Sequence, residues 1–255
     1  MTDKKLIELE YKENIAILRF NRPEVHNSIN DQAMGQLEDH LDGIEANHKI
    51  RAIIITGSGP KTFSAGGDLR YFASLKTYDA CLAMSKRMQA ILERLIYGTR
   101  VVIAAINGQA LGGGCEIITA CHFRIAASHA TFGLRQAPNG LITGWGGGKR
   151  LFKLIGKNSS LKLLLTGETI DVSEAIRIGL IDKSVEPDAL MLSAIDMANR
   201  INKNAQVSVE VFLKLAEKLE FDDRKTVVKY ETESFAELLM GDYFRDAVKK
   251  FIHVN

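Results

Sequence analysis

The chain has 255 residues, enough for one large domain or a domain with an appendage, and for a sizeable core. Apolar content of 46% and charged content of 25% are ordinary for a globular protein, and 33 Lys and Arg against 31 Asp and Glu leave +2 with no long block of one sign. That balance argues against nucleic acid and against an anionic membrane surface as partners.

The N-terminus has no apolar signal core, and no apolar stretch is long enough to span a bilayer. Cys81, Cys115 and Cys121 form no C-x-x-C pair, so a reduced, cytoplasmic compartment is expected, with each cysteine a small core residue. Residues Leu6–Tyr11 and Ile15–Phe20 read as a hairpin that ends at Asn21-Arg22-Pro23. The helical spacing of Met34, Leu37, Leu41 and Ile44 predicts a helix over 31–47, with Asp31 able to cap it. A short buried strand over 51–56 leads to a glycine turn, Phe63-Ser64-Ala65-Gly66-Gly67-Asp68-Leu69, and a helix follows from about Tyr78 to Ile96. Strands are predicted over 101–106, 123–127 and 181–185, and helices over 159–166 and 173–179. From Pro187 onward the pattern is helical throughout, in segments 189–202, 208–219, 224–239 and 243–252. Strand–helix units followed by a helical tail indicate the α/β class with an α-helical C-terminal part.

The glycine run Asn107-Gly108-Gln109-Ala110-Leu111-Gly112-Gly113-Gly114-Cys115-Glu116 lies between the apolar strand 101–106 and a helix-like run from Glu116 to Ala120. The first N–H groups of a helix have no intrahelical partner, and glycine lets another molecule approach them closely. Such a turn suits an anion, or an oxygen that becomes anionic during a reaction. Glu116 is one helical turn past Gly113, which places a candidate base beside that site.

Other signatures fail. Residues 143–150 approach a phosphate-binding loop through Gly148-Lys149, but Thr143 replaces the leading glycine and Arg150 the hydroxyl residue. There is no G-x-G-x-x-G after a strand and no G-x-S-x-G elbow. The six histidines show no ligand spacing, so no metal is expected.

The two glycine turns, together with Asn21-Arg22-Pro23 through Asn27-Ser28, Ile53–Gly57, Phe132-Gly133, Gly167-Glu168 and Gly179-Leu180-Ile181-Asp182, resemble the crotonase (enoyl-CoA hydratase/isomerase) superfamily over nearly the whole chain. The resemblance implies a spiral core of stacked ββα turns over 1–195 and a helical C-terminal trimerisation region over 196–255. It also implies a homotrimer or homohexamer, an acyl-CoA thioester substrate, and no cofactor beyond the coenzyme A of the substrate. By the same resemblance, the N–H groups of Gly67 and Gly113 bind the thioester oxygen. Two fixed donors bind an enolate more strongly than a neutral carbonyl, and losing one such donor costs about 10²–10³ in rate. The turn at Glu24, Val25 and His26, with Ser64, Ala65, Gly66, Asp68 and Leu69, matches the family's coenzyme A-binding main chain. Asp68 reads better as a helix cap or a turn-stabilising ion pair.

Enoyl-CoA hydratases of this family use two glutamates. Glu116 matches the first, and the position of the second, three residues after Phe132-Gly133, holds Gln136 beside Arg135. An amide holds a water but does not exchange a proton with it at ordinary pH. Isomerisation or decarboxylation with Glu116 as the one acid/base is therefore somewhat favoured. The alternatives are hydration by Glu116 with a water held by Gln136, and a catalytically silent acyl-CoA-binding subunit, against which the retained Glu116 and Gly113 speak. Trp145 is read as a pocket or a core residue, Arg135 as a counter-ion or a solvated loop residue, and His122 as a satisfied structural histidine.

Overall fold

The structure is a computed structural model describing residues 5–252, so residues 1–4 of the N-terminus read above, and His253, lie outside the described residues. The chain runs β1 (Ile7–Lys12), β2 (Ile15–Phe20), α1 (Asp31–Ala46), β3 (Ala52–Gly57), β4 (Thr62–Ser64), α2 (Leu69–Ser74), α3 (Tyr78–Ile96) and β5 (Val101–Ile106). It continues with β6 (Gln109–Leu111), α4 (Gly113–Ile118), β7 (Phe123–Ala127), β8 (Thr131–Gly133), α5 (Gly147–Thr166), β9 (Thr169–Asp171), α6 (Val172–Arg177) and β10 (Lys183–Val185). Four helices close it: α7 (Leu190–Asn202), α8 (Gln206–Phe221), α9 (Arg224–Met240) and α10 (Asp242–Ile252).

Two sheets organise these elements: six strands in the order β1-β2-β3-β5-β7-β10, and four in the order β4-β6-β8-β9. Each successive unit, β3-β4, β5-β6 and β7-β8, places its first strand in the larger sheet and its second in the smaller, then passes to helix. Neighbouring units pair in parallel, which is the stacked ββα spiral. The corners are stitched by amide side chains. Asn27 Nδ2 donates to Thr62 O at 2.7 Å, while Asn107 Oδ1 accepts from Gly57 N at 2.9 Å and its Nδ2 donates to Gly59 O at 2.6 Å.

All six residues of β3 and of β5 are buried, as expected for parallel strands covered on both faces. One face packs on α1 and α3 through Met34, Leu37, Leu41, Met88, Ile91 and Leu92. The other packs on α7 through Leu190, Ala194 and Ala198. Residue 195, the expected end of the spiral core, therefore lies inside a helix that covers the main sheet. Beyond it, α8 and α9 expose Phe212, Leu219, Phe235 and Met240. Among the described residues no helix is long and apolar enough to cross a membrane.

Several local expectations change. Cys115 and Cys121 are buried as core residues, but Cys81, in the first turns of α3, is exposed. The cap of α1 is Asn30, whose side chain accepts from Ala33 N, and Asp31 is the first helical residue. The glycine-run helix α4 begins at Gly113 rather than Glu116. Helix α5 starts at Gly147, with a non-helical break at Gly156 (φ 74°), so the predicted 159–166 helix is its second half. The smaller sheet was not predicted at all. Its strands have three residues each, too few to show a period.

Candidate active site

The two glycine turns meet backbone to backbone. A Cβ on Gly66 (φ 85°) would overlap the Gly113 nitrogen, and one on Gly114 would overlap Ser64 O. This approach is open only to residues without a side chain. It brings Gly67 and Gly113 onto one cavity of about 380 Å³, together with Ala65, Leu69, Phe72, Met84, Glu116, Arg135, Gln136 and Trp145. Neither the Gly67 nor the Gly113 N–H has an intramolecular acceptor among the described residues. Gly113 opens α4, so its N–H carries the positive end of the helix.

Glu116 stands in the first turn of α4, only 3% exposed. Its Oε2 accepts from Trp145 N at 2.8 Å and Gly147 N at 2.9 Å. Its Oε1 accepts from Gln136 Nε2 at 3.1 Å and Gly144 N at 3.3 Å. Gly147 has to be glycine here, since a Cβ would collide with the Glu116 side chain. Burial pushes the Glu116 carboxyl above the ordinary carboxylate range, and the N–H groups of Gly147 and Trp145, Gln136 and the charge of Arg150 oppose that shift only in part. A carboxyl poised in this way suits proton transfer near neutral pH.

Gln136, 9% exposed, uses its Nε2 on Glu116, and its buried Oε1 has no hydrogen-bond donor among the described residues. An unmet buried oxygen costs about 1–3 kcal/mol, so a donor arriving in the cavity gains by meeting it. The Trp145 ring is buried and lies where a Cβ of Gly113 would be, so this tryptophan both packs and walls the cavity. Arg135 reaches the cavity rim, but its Nη1 donates to Gly167 O at 2.7 Å and its Nη2 to Thr169 Oγ1 at 2.5 Å. Its guanidinium is thus anchored to the β9 side of the rim.

The remaining expected residues lie off the cavity lining. Ser64 is fully buried, its hydroxyl donating to Asn27 O at 2.9 Å and accepting from Gly66 N at 3.1 Å. This side chain holds the turn and has no open face for a ligand. Asp68 caps α2 by accepting from Arg70 N and Tyr71 N, and pairs with Arg22 at 2.9 Å. Burial raises its pKa, but Arg22 and the two N–H groups outweigh that and hold it below the usual range. Glu24, Val25 and His26 form a short 3₁₀ turn and its left-handed cap, and His26 O accepts from Ala65 N at 2.9 Å. They brace the Gly67 turn from outside. His122 accepts from Val102 N at Nδ1 (3.0 Å) and donates from Nε2 to Ile96 O (3.1 Å), and burial pushes its pKa down to about 4. It is a neutral structural histidine.

Sequence reasoning passed over the turn 144–147, whose main-chain N–H groups grip Glu116. Backbone donors carry no residue-type signal, and only the clustered glycines hinted at them.

The model of the enoyl-CoA hydratase/isomerase family matches residues 10–253. The chain is 35% identical over 244 residues to a short-chain-enoyl-CoA hydratase of Clostridium acetobutylicum, covering 96% of this chain and 93% of that one. It is 37% identical over 207 residues to a crotonyl-CoA hydratase of Syntrophomonas wolfei, covering 80% and 78%. The crystal structure of an enoyl-CoA hydratase from Bacillus anthracis superposes with a TM-score of 0.92 at 29% identity, over 98% of this chain and 97% of that one.

Proposed function

The chain belongs to the enoyl-CoA hydratase/isomerase family, and from that premise we propose that it adds water reversibly across the double bond of a 2-enoyl-CoA thioester, with Glu116 as its single acid/base. The observation that carries this reading is the buried Gln136 Oε1, unmet and beside Glu116 on the cavity that Gly67 and Gly113 also line. A water that donates one hydrogen to Gln136 Oε1 has its other available to Glu116. Glu116 takes that proton as the water oxygen bonds to the β carbon, and the π electrons move to the thioester oxygen. The N–H groups of Gly67 and Gly113 receive that enolate oxygen. Glu116 then returns the proton to the α carbon, so the double bond has gained H and OH and the enzyme is unchanged.

Isomerisation or decarboxylation, favoured by Gln136 when read as a residue type alone, requires no bound water and leaves the Gln136 oxygen unmet. The names of the hydratase relatives point the same way. The test offers crotonyl-CoA, a 3-enoyl-CoA and an alkylmalonyl-CoA to the purified protein. Hydration of crotonyl-CoA is expected to dominate. Turnover of the 3-enoyl or malonyl thioester without hydration would overturn the proposal in favour of the isomerase or decarboxylase reading, and binding without turnover in favour of a silent binder.

A further inference from the structure

Off the cavity lining, α5 buries a guanidinium against the main chain of Glu116. Arg150 is 8% exposed, and among the described residues no carboxylate lies within ion-pair distance of it. Its partners are neutral. Nη2 donates to Trp145 O at 2.8 Å and to Glu116 O at 3.3 Å, and Nε donates to Thr119 Oγ1 at 3.2 Å. Thr119 Oγ1 in turn donates to Glu116 O at 2.8 Å. The fork thus ties together the two segments that must stay in register: the α4 turn that carries the Glu116 side chain, and the 144–147 turn whose N–H groups hold its carboxylate.

Burying a cation against carbonyls and a hydroxyl is costly, and where such a group only fills space an apolar residue of similar volume does as well or better. Its charge therefore calls for a counterpart. The titratable groups facing Arg150 are Glu116 from α4, Glu93 from α3, Tyr97 just after α3, and Cys121 just after α4. Cys121 is pushed up to about 12 by burial, and the Tyr97 phenol is raised as well, so both stay neutral near pH 7. Cys115, the other titratable group facing Glu116, is also pushed up to about 12 and remains a neutral thiol. Glu116 is the buried carboxyl among them; burial raises its pKa, and the charge of Arg150 works against that shift.

We propose that Arg150 is a positioning residue for the reaction assigned above: it locks the 144–147 turn onto α4 and keeps the buried Glu116 carboxylate available as a base. The inference rests on the proposed role of Glu116, and the experiment separates the two. Protein labelled with ¹³C at the glutamate carboxyl carbons is titrated by NMR, with Glu116→Gln identifying the resonance. This reads Glu116 ionisation whether or not any thioester turns over. In Arg150→Gln the Glu116 midpoint is expected to move to higher pH. The acidic limb of kcat for crotonyl-CoA should move with it, and kcat at neutral pH should fall by about 10²-fold, the scale of a small misplacement of a reacting group, with KM little changed.

Arg150→Lys keeps the charge and loses the fork, so it is expected to titrate like wild type while kcat stays depressed. A wild-type midpoint in folded Arg150→Gln overturns the proposal, as does a kcat loss matched by the loss of folded protein. Should Arg150→Gln fail to fold, Arg150→Lys decides alone: wild-type kcat in that variant overturns the locking role. Wild-type protein that hydrates nothing, with a Glu116 midpoint that still responds to Arg150→Gln, would sink the proposed reaction and leave the positioning intact.

Discussion

Replacing Gln136 by glutamate tests the reading that one carboxylate does the work here. Gln136 Nε2 stands 3.1 Å from Glu116 Oε1, so the variant sets two carboxyl groups at about that distance in a buried site. With an effective dielectric constant of about 20, two full charges that close repel by about 5 kcal/mol. At about 1.4 kcal/mol per pH unit, that raises the second proton affinity by roughly four units. The pair therefore holds one proton across the neutral range, as two acids sharing a site do. The wild-type hydration rate should rise with pH along a single ionisation, that of Glu116, and then level off. Gln136→Glu should instead give a bell, losing activity when both groups are protonated and when both are ionised. A positioned acid is worth 10²–10⁴ in rate, so hydration at the optimum should increase by about 10²-fold. The assay is initial-rate loss of the enoyl chromophore of crotonyl-CoA from pH 5 to 10. A variant with the wild-type profile and no gain in rate would refute the account of the missing carboxylate.

Three further outcomes are expected. Glu116→Ala should lower kcat for hydration by about 10²–10⁴ while calorimetric binding of a saturated acyl-CoA stays within a few-fold; retained turnover would contradict the assignment. Gly66→Ala puts a Cβ into the Gly113 nitrogen at a positive φ, so thermal denaturation should show a loss of about 1–3 kcal/mol, with kcat falling as the turns part. His122 has a folded pKa of about 4 against an ordinary value of 6.5, so its contribution is complete above pH 6.5 and is lost as pH falls toward 4. Urea denaturation at pH 7 and 4.5 should show a drop of about 2 kcal/mol that His122→Gln lacks.

How much of this was legible in the sequence depended on how local each feature is. Apolar runs located the strands of the larger sheet, and α3 has the predicted bounds Tyr78 and Ile96 because its apolar face repeats over nineteen residues. The smaller sheet stayed hidden, since Thr62–Ser64 and its neighbours become strands only by pairing with one another. In the site, Gly113 and Glu116 could be linked by helical geometry alone. The convergence of Gly67 with Gly113 could not, because it comes from parallel pairing of β4 with β6 and appeared beforehand only as a family resemblance. Arg150 looked like a failed phosphate-loop position. Its meaning comes from α5 folding back on α4, which no spacing in the chain encodes.

The donors around Glu116 lead to a last consequence. Four donors surround its two oxygens, and the longest of these contacts, Gly144 N at 3.3 Å, is the one that a reacting water held by Gln136 can displace. Three of those donors are main-chain N–H groups in the turn bound by Arg150. The fourth is a side-chain amide, which exchanges its N and O by rotating about its terminal bond. With Glu116 ionised, Nε2 faces the carboxylate and Oε1 accepts from the water. With Glu116 protonated, the reverse orientation lets Oε1 accept from the new carboxyl O–H. Rotation of the Gln136 amide would thus suit either protonation state of Glu116 without adding charge. Gln136→Met, close in volume, deletes a donor to the anion, so the acidic limb of the hydration profile should move to higher pH and kcat should fall while acyl-CoA binding holds. An unmoved acidic limb would mean that the amide takes no part in the ionisation of Glu116, and the orphan oxygen would lose its meaning as a water site.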